Sequence, residues 1–382
     1  MKKRILFATM IMGLLLPLGA CSDDDTPDEP DGPSEVVVTE AQMKAVIATY
    51  VDDVVIPTYT EMETKVIAMS AAVNKFISSG TQEDLDIACD AWRAARKPWE
   101  ESEAFLYGPA DYENLDPSLD SWPLDKDGLD QLLLTADFSS IGEEDPEDDD
   151  KAEEAQSLRG FHTLEYLLFN DGKSRNAEEM TTNEKGYAKA VSDRLLQDTK
   201  RLREAWVDGL GTEEVPTPFG EEMKEYATRR TGSARNVLGE FIISGGIQNI
   251  SDEVGDAKIG TPYNEWKNKN YEEAVLQVES WYSWNSLTDY VDNIISIKNS
   301  YFGGRGLTTA SANSLSSLVR LVDADLDTEV KSQIEATIKA IENIPAPFRS
   351  NLDATSEIEA AMEACADLSD VFQKVRTALD LY

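Results

Sequence analysis

Apolar side chains in this chain return every third or fourth residue through one long stretch after another, and nowhere do they alternate convincingly with polar ones. A spacing near 3.6 buries one stripe of a helix, whereas a half-buried strand needs a period of two. The clearest case is residues 39–79, "TEAQMKAVIATYVDDVVIPTYTEMETKVIAMSAAVNKFISS", which opens on Thr39, a hydroxyl suited to an N-cap. A second long helix is expected from "TQEDLDIACDAWRAARKPWEESEAFLYGP", with a stop at Gly108-Pro109. The same spacing predicts helices over 154–170, 180–208, 217–250, 270–300, 308–323, 327–344 and 354–381. The expectation is an all-α chain, arranged as two helical bundles with a cleft between them. The Gly- and Pro-rich stretch "GLGTEEVPTPFG" (209–220) is the candidate boundary, dividing an N-terminal helical domain (37–212) from a C-terminal bundle (213–382). No repeat of 20–50 residues is found, which argues against a solenoid.

The amino-terminal end reads as a targeting segment. Lys2, Lys3 and Arg4 precede an apolar run from Ile5 to Leu18 and then Gly19, Ala20 and Cys21. That is a secretory signal, too short for comfortable passage across a bilayer. "LGAC" resembles a lipobox, so residues 1–20 are expected to be removed and Cys21 lipidated. The acidic, Pro-rich segment 21–36 cannot bury enough apolar surface to fold and is expected to be a flexible tether. These features predict a lipid-anchored outer-membrane protein, with its exposure on the cell surface or on the periplasmic side left open.

The chain carries 35 Lys+Arg against 73 Asp+Glu, a net charge of −38. Such a field repels nucleic acid and anionic lipid and favours cations, basic proteins or neutral ligands. Membrane contact is therefore expected through the lipid alone. Besides Cys21 only Cys89 and Cys365 are present. Both sit in apolar helical patterns, so they read as buried thiols rather than a disulfide framework.

One segment stands out chemically. "SLRGFHTLEYLLFN" (157–170) holds His162, the single histidine, and Glu165 one turn later. Both fall on the apolar face with Leu158, Phe161 and Phe169, where a carboxylate needs a partner. On the second long helix Leu85, Cys89, Trp92, Arg96, Trp99 and Glu103 share a face, which turns Arg96 and Glu103 inward. Two arrangements satisfy these residues. One is a structural network in which Arg96 neutralises a carboxylate. The other is a metal site with His162, Glu165 and Glu103 as ligands, a donor set suited to Zn, Fe or Mn. There is no HExxH, and one histidine cannot supply the paired motifs of a di-iron bundle. "DADLDTEV" (323–330) opens like a calcium loop but has Thr328 in place of the turn glycine.

"GFHTLE" (160–165) resembles the GxHxxE signature of the imelysin family. "WRAARKPWEESEAFLYGP" (92–109), "SWPLD" (121–125) and "VESWYSWNSLTDYVDNIISIKNSYFGG" (278–304) resemble further blocks of that family in the same order. The resemblance implies two helical bundles with the signature helix near the cleft between them. His162 and Glu165 match the signature, Arg96 and Glu103 match the block before Gly-Pro, and Trp122, Ser283 and Asn285 match the remaining motif positions, which are expected to line the cleft. It also implies an envelope protein linked to iron uptake, holding a divalent or ferric ion or a metal-bearing ligand, iron before zinc, with other envelope iron-uptake proteins as partners. The family's peptidase label keeps a metal-dependent peptidase acting on exported proteins as an alternative. A protein- or glycan-binding module with a purely structural His–Glu–Arg cluster is the other.

Overall fold

Thr39 caps the first helix through a reciprocal pair. Its hydroxyl accepts from the Gln42 amide at 3.3 Å, and the Gln42 side chain accepts from the Thr39 amide at 2.9 Å. Helix α1 (Glu40–Tyr50) runs through a π-helical turn, Val51–Val55, into α2 (Ile56–Ser79). Gly80, with φ of 67°, closes α2 in the left-handed conformation, and its amide donates to the Phe76 carbonyl. Thr81 then caps α3 (Gln82–Glu100), so α2 and α3 form an antiparallel hairpin. Val66, Met69, Val73 and Phe76 on α2 are buried, as are Leu85, Ala88, Trp92 and Trp99 on α3.

This computed structural model describes residues 37–138, 141, 155–226 and 230–382. The expected leader and tether, with Cys21, lie outside them. After α3 come a 3-10 turn (Glu103–Phe105), α4 (Leu115–Asp120), α5 (Lys126–Thr135) and the signature helix α6 (Phe161–Leu168). Helix α7 (Thr182–Val207) packs beside α2 and α6. A helical run over 234–267 includes two π-helical segments, Val237–Gln248 and Glu253–Gly260. Helices α8 (Tyr271–Leu276), α9 (Ser286–Phe302), α10 (Leu315–Val322), α11 (Ala324–Glu342) and α12 (Thr355–Ala378) complete the chain.

The all-α reading holds, with two departures that matter. The helix expected over 154–170 stops at Leu168, and β1 (Phe169–Asn170) pairs antiparallel with β2 (Lys173–Ser174). Asp171 and Gly172 both have positive φ, as a two-residue hairpin turn requires. The helix expected over 270–300 is broken between Leu276 and Ser286, where Ser280 and Trp284 take φ of 50° and 62°. Left-handed residues cannot continue a right-handed helix.

Helices α2, α3, α6 and α7 form one group; the 234–267 run with α9, α11 and α12 forms another. Helix α3 and the 3-10 turn lie against α9 and the π segment, so contacts cross the 209–220 connection. Residues 37–382 pack as one unit around a continuous apolar core. Cys89 and Cys365 are free and buried. Burial pushes both thiols up to about 12. No helix among the described residues is long and apolar enough to cross a membrane.

Candidate functional site

The inward face of α3 delivers Arg96 to the centre of the molecule, where the residue is fully buried. One guanidinium nitrogen lies 2.5 Å from Glu100 and 2.7 Å from Glu279, and another pairs with Asp120. Asp289, on α9, lies 3.4 Å from Nε. His162 stands at the same junction. Its Nε2 is 3.1 Å from Asp120 and 3.4 Å from Glu279, and its Nδ1 is 3.3 Å from Glu165. The other Glu165 oxygen accepts from the Ser283 amide at 2.7 Å. Glu165 therefore fixes the imidazole from behind and ties α6 to the 277–285 segment.

Of the expected ligands, the structure brings His162 and Glu165 together, and it buries Glu103 near Asp120 in the same cavity wall without pairing it to His162. Glu103 lies beyond the end of α3, on the 3-10 turn, where it pairs with Lys258 at 3.5 Å. The atoms gathered around the outward nitrogen of His162 belong to Asp120 and Glu279. Asp120, His162 and Glu279 offer ligand atoms within 4.8 Å of one another, as do Glu100, Glu103 and Asp120. Asn285 holds Asp289 at 2.6 Å, and Ser283 contributes its amide rather than its side chain. Trp122 covers the imidazole, with ring centres 4.6 Å apart.

Two glycines permit the assembly. Gly160 has φ of 94°, and a Cβ there would sit 2.6 Å from the Leu119 carbonyl oxygen. It is the place where α6 and the end of α4 touch, one residue from Asp120. Gly246 meets the Ala104 carbonyl too closely for any side chain, seating the π segment against the turn that carries Glu103. Gly160→Ala is expected to lower stability by about 2 kcal/mol or more, measured by urea unfolding, and to part Asp120 from His162. Unchanged stability would mean that this approach is not needed.

Charge is unevenly shared. Carboxyl groups crowd around Arg96, Lys258 and His162, among them Glu100, Glu103, Asp116, Asp120, Glu165, Glu279 and Asp289. Burial alone would raise Asp120, but Arg96 and His162 outweigh it and hold the carboxyl down at about 2. Burial likewise opposes ionisation of Glu279, yet Lys258, His162 and Arg96 hold it well below the usual range. Burial opposes a charged His162 too, but Asp120 and Glu165 carry its pKa well above the ordinary value. Asp116 is pushed up to about 7 by burial and Asp120; Asp289 reaches about 7 by burial, against the pull of Arg96.

These directions fix a pH dependence. Asp116 and Asp289 bind protons more tightly folded than unfolded, so stability falls as pH rises from about 4 to about 7. His162, also raised, adds stability that is complete below about 6.5 and is lost as pH climbs through its higher folded value. The metal-free chain is expected to melt at a higher temperature at pH 5 than at pH 8, by calorimetry. The opposite order would mean that these groups stay ionised in the fold.

The cluster opens on one side. A cavity of about 630 Å³ is lined by Glu103, Asp116, Asp120, Trp122, Lys258 and Glu279, among others. A smaller one of about 290 Å³ shares Trp122, Pro123 and Gln277 with it and adds Trp281 and Tyr282. Burying so many charges costs several kcal/mol per ion, more than their pairing returns as stability. Such an arrangement in a cavity wall is better suited to a ligand than to holding the fold.

The donor chemistry fits a metal ion. One imidazole with two carboxylates suits iron, manganese or zinc. Arg96 reaches the same Asp120 and Glu279 oxygens, so an ion would share them with a guanidinium already present.

Comparison with known proteins agrees in fold and family. The family model described as imelysin matches residues 55–375. Iron-regulated protein A of Synechococcus elongatus is 27% identical over 346 residues, covering 90% of this chain and 87% of that protein. The crystal structure of an iron-regulated protein A precursor from Parabacteroides distasonis superposes with a TM-score of 0.87 at 48% identity, covering 91% of this chain and 97% of that one. An imelysin-like protein from Psychrobacter arcticum, 12% identical, shares the fold with a TM-score of 0.65 over 91% of this chain and 98% of that one.

Proposed function

The chain belongs to the imelysin family, and on that premise we propose that it captures a metal cation, iron before zinc, as a lipid-anchored protein of the cell envelope. The observation that carries this reading is the group Asp120, His162 and Glu279, whose ligand atoms converge at the edge of an acidic cavity. Asp120, His162 and Glu279 would hold the ion, in place of the His162–Glu165–Glu103 set expected from spacing. Glu165 would orient the imidazole, since a ligand's second nitrogen is commonly fixed by a carboxylate. Arg96 would offset the negative charge left over. The similarity to proteins named iron-regulated protein A supports iron as the cargo.

The test is titration of the soluble chain from Ser22 onward with Fe(II) under anaerobic conditions, and with Zn(II), beside His162→Ala. One ion per parent chain is expected and none in the variant. Because ligation needs a neutral imidazole while Asp120 and Glu165 favour the protonated one, affinity should rise with pH between 6 and 8. A parent that binds neither ion at any of these pH values would end the proposal.

A metal-dependent peptidase is a second reading, supported by one observation. Asp116 and Glu103 share the cavity wall, and Asp116 is raised into the range where a general base works. This reading requires casein cleavage by the loaded protein that is lost in Asp116→Asn. Absence of cleavage by the metal-loaded parent removes it.

A further inference from the structure

The cavity reaches Asp120 and Glu279, but it does not reach the imidazole. His162 has no exposed surface, and it is absent from the cavity wall although its Nε2 lies within 3.4 Å of two residues in that wall. On most sides His162 is closed in by groups that are themselves pinned. Glu165 is bonded to the Ser283 amide, Asp120 to the Trp99 indole at 2.6 Å, and Glu279 to Arg96 and Lys258. Trp122 is different. Its ring is half-buried, borders both cavities and lies over the imidazole at 4.6 Å, tilted by 60°. Its indole N–H donates to the Gln277 carbonyl at 3.3 Å, across from the other wall.

We propose that Trp122 is a movable cover over His162, latched by its indole hydrogen bond to Gln277, so that a cation entering the cavity meets Asp120 and Glu279 first and the imidazole only after the indole swings aside. The smaller cavity beside Trp122 gives the ring somewhere to go. A latch made of one long hydrogen bond to a backbone carbonyl opens far more readily than the ion-paired walls around it. Opening of this kind makes Trp122 a specificity-determining residue as well, because whatever enters must leave room for the ring to return. The inference builds on the metal reading, yet the cover can be tested without any metal.

His162 is the only histidine, so its reactivity identifies itself. The soluble parent, Trp122→Phe and Trp122→Ala would be treated with diethyl pyrocarbonate at one alkaline pH, because the reagent acylates only the neutral imidazole and Asp120 and Glu165 favour the protonated one, with modification of the His162 peptide followed by mass spectrometry. The expected rate in Trp122→Ala is about tenfold or more above the parent, and Trp122→Phe, which keeps a ring but lacks the latch, falls between them. Stopped-flow Co(II) binding supplies the second readout. Association and dissociation should both quicken in Trp122→Ala while Kd changes less than about threefold, a pattern that lost packing would not produce. Equal modification rates in the three proteins, with circular dichroism unchanged, overturn the cover, as does a His162 that resists modification in all of them. If Co(II), Fe(II) and Zn(II) bind none of the proteins but the modification rates separate as expected, the cover stands and the metal reading falls.

Discussion

Arg96→Met is expected to destabilise the metal-free chain by about 3–5 kcal/mol, the usual consequence of stripping a buried charge of its partner. The reason lies in how many groups depend on one side chain. Glu100, Asp120, Glu279 and Asp289 all meet the guanidinium; Glu279 also pairs with Lys258 at 3.1 Å and Asp120 with His162 at 3.1 Å, but among the described residues Glu100 and Asp289 have no second ion pair. Methionine fills much of the volume but leaves the carboxyl groups to neutralise by taking up protons. The loss should therefore be largest at high pH and shrink toward pH 5. Arg96→Lys should rescue only part of it, because a single ammonium cannot span carboxylates on three elements. Urea unfolding of the three chains at pH 5 and pH 8 decides the matter. A methionine variant as stable as the parent at both would show that the acids are not held by Arg96.

Asp120→Asn is the second large effect expected, this time on binding. Asp120 contacts Arg96 and His162 at once, and it belongs to both groups of potential ligands. Its replacement by a neutral amide should lower metal affinity by about a hundredfold or more, while Glu165→Gln, one step removed from the ion, should lower it by about ten- to a hundredfold. Calorimetric titration with Zn(II) separates the two. If Glu165→Gln proves the more damaging, Glu165 rather than Asp120 ligates, as the HxxE spacing alone would have it.

That contrast marks how far the sequence could be read. The α3 wheel carried Leu85, Cys89, Trp92, Arg96 and Trp99 inward as expected, since an amphipathic helix leaves its period in the text. It was less informative about Glu103, because the helix ends at Glu100 and a 3-10 turn re-aims the side chains beyond it. Asp120 was hidden at the end of a six-residue helix too short to show a period. Glu279 was hidden by an apolar spacing that ran through 270–300 as though unbroken, whereas Ser280 and Trp284 turn the chain out of helix there. A signal was present: Glu279 opens the Glu-Ser-x-x-Ser-x-Asn block, and an acid beside Trp281 and Tyr282 calls for a buried partner. The Asn-Asp-Gly turn at 170–172 was likewise legible and ends α6 where it does.

The continuous core has a bearing on how cargo could be chosen. Binding proteins built from two lobes on a hinge can grade their fit by how far they shut, and the energy of shutting becomes part of their selectivity. Here α3 and its turn are pressed against α9 and the π segment, and one apolar interior runs through both halves. Shutting is not at the chain's disposal in that form. Discrimination between one cargo and another must then be written into fixed walls and a few small moving parts, and small-angle scattering profiles of the loaded and empty protein should superimpose.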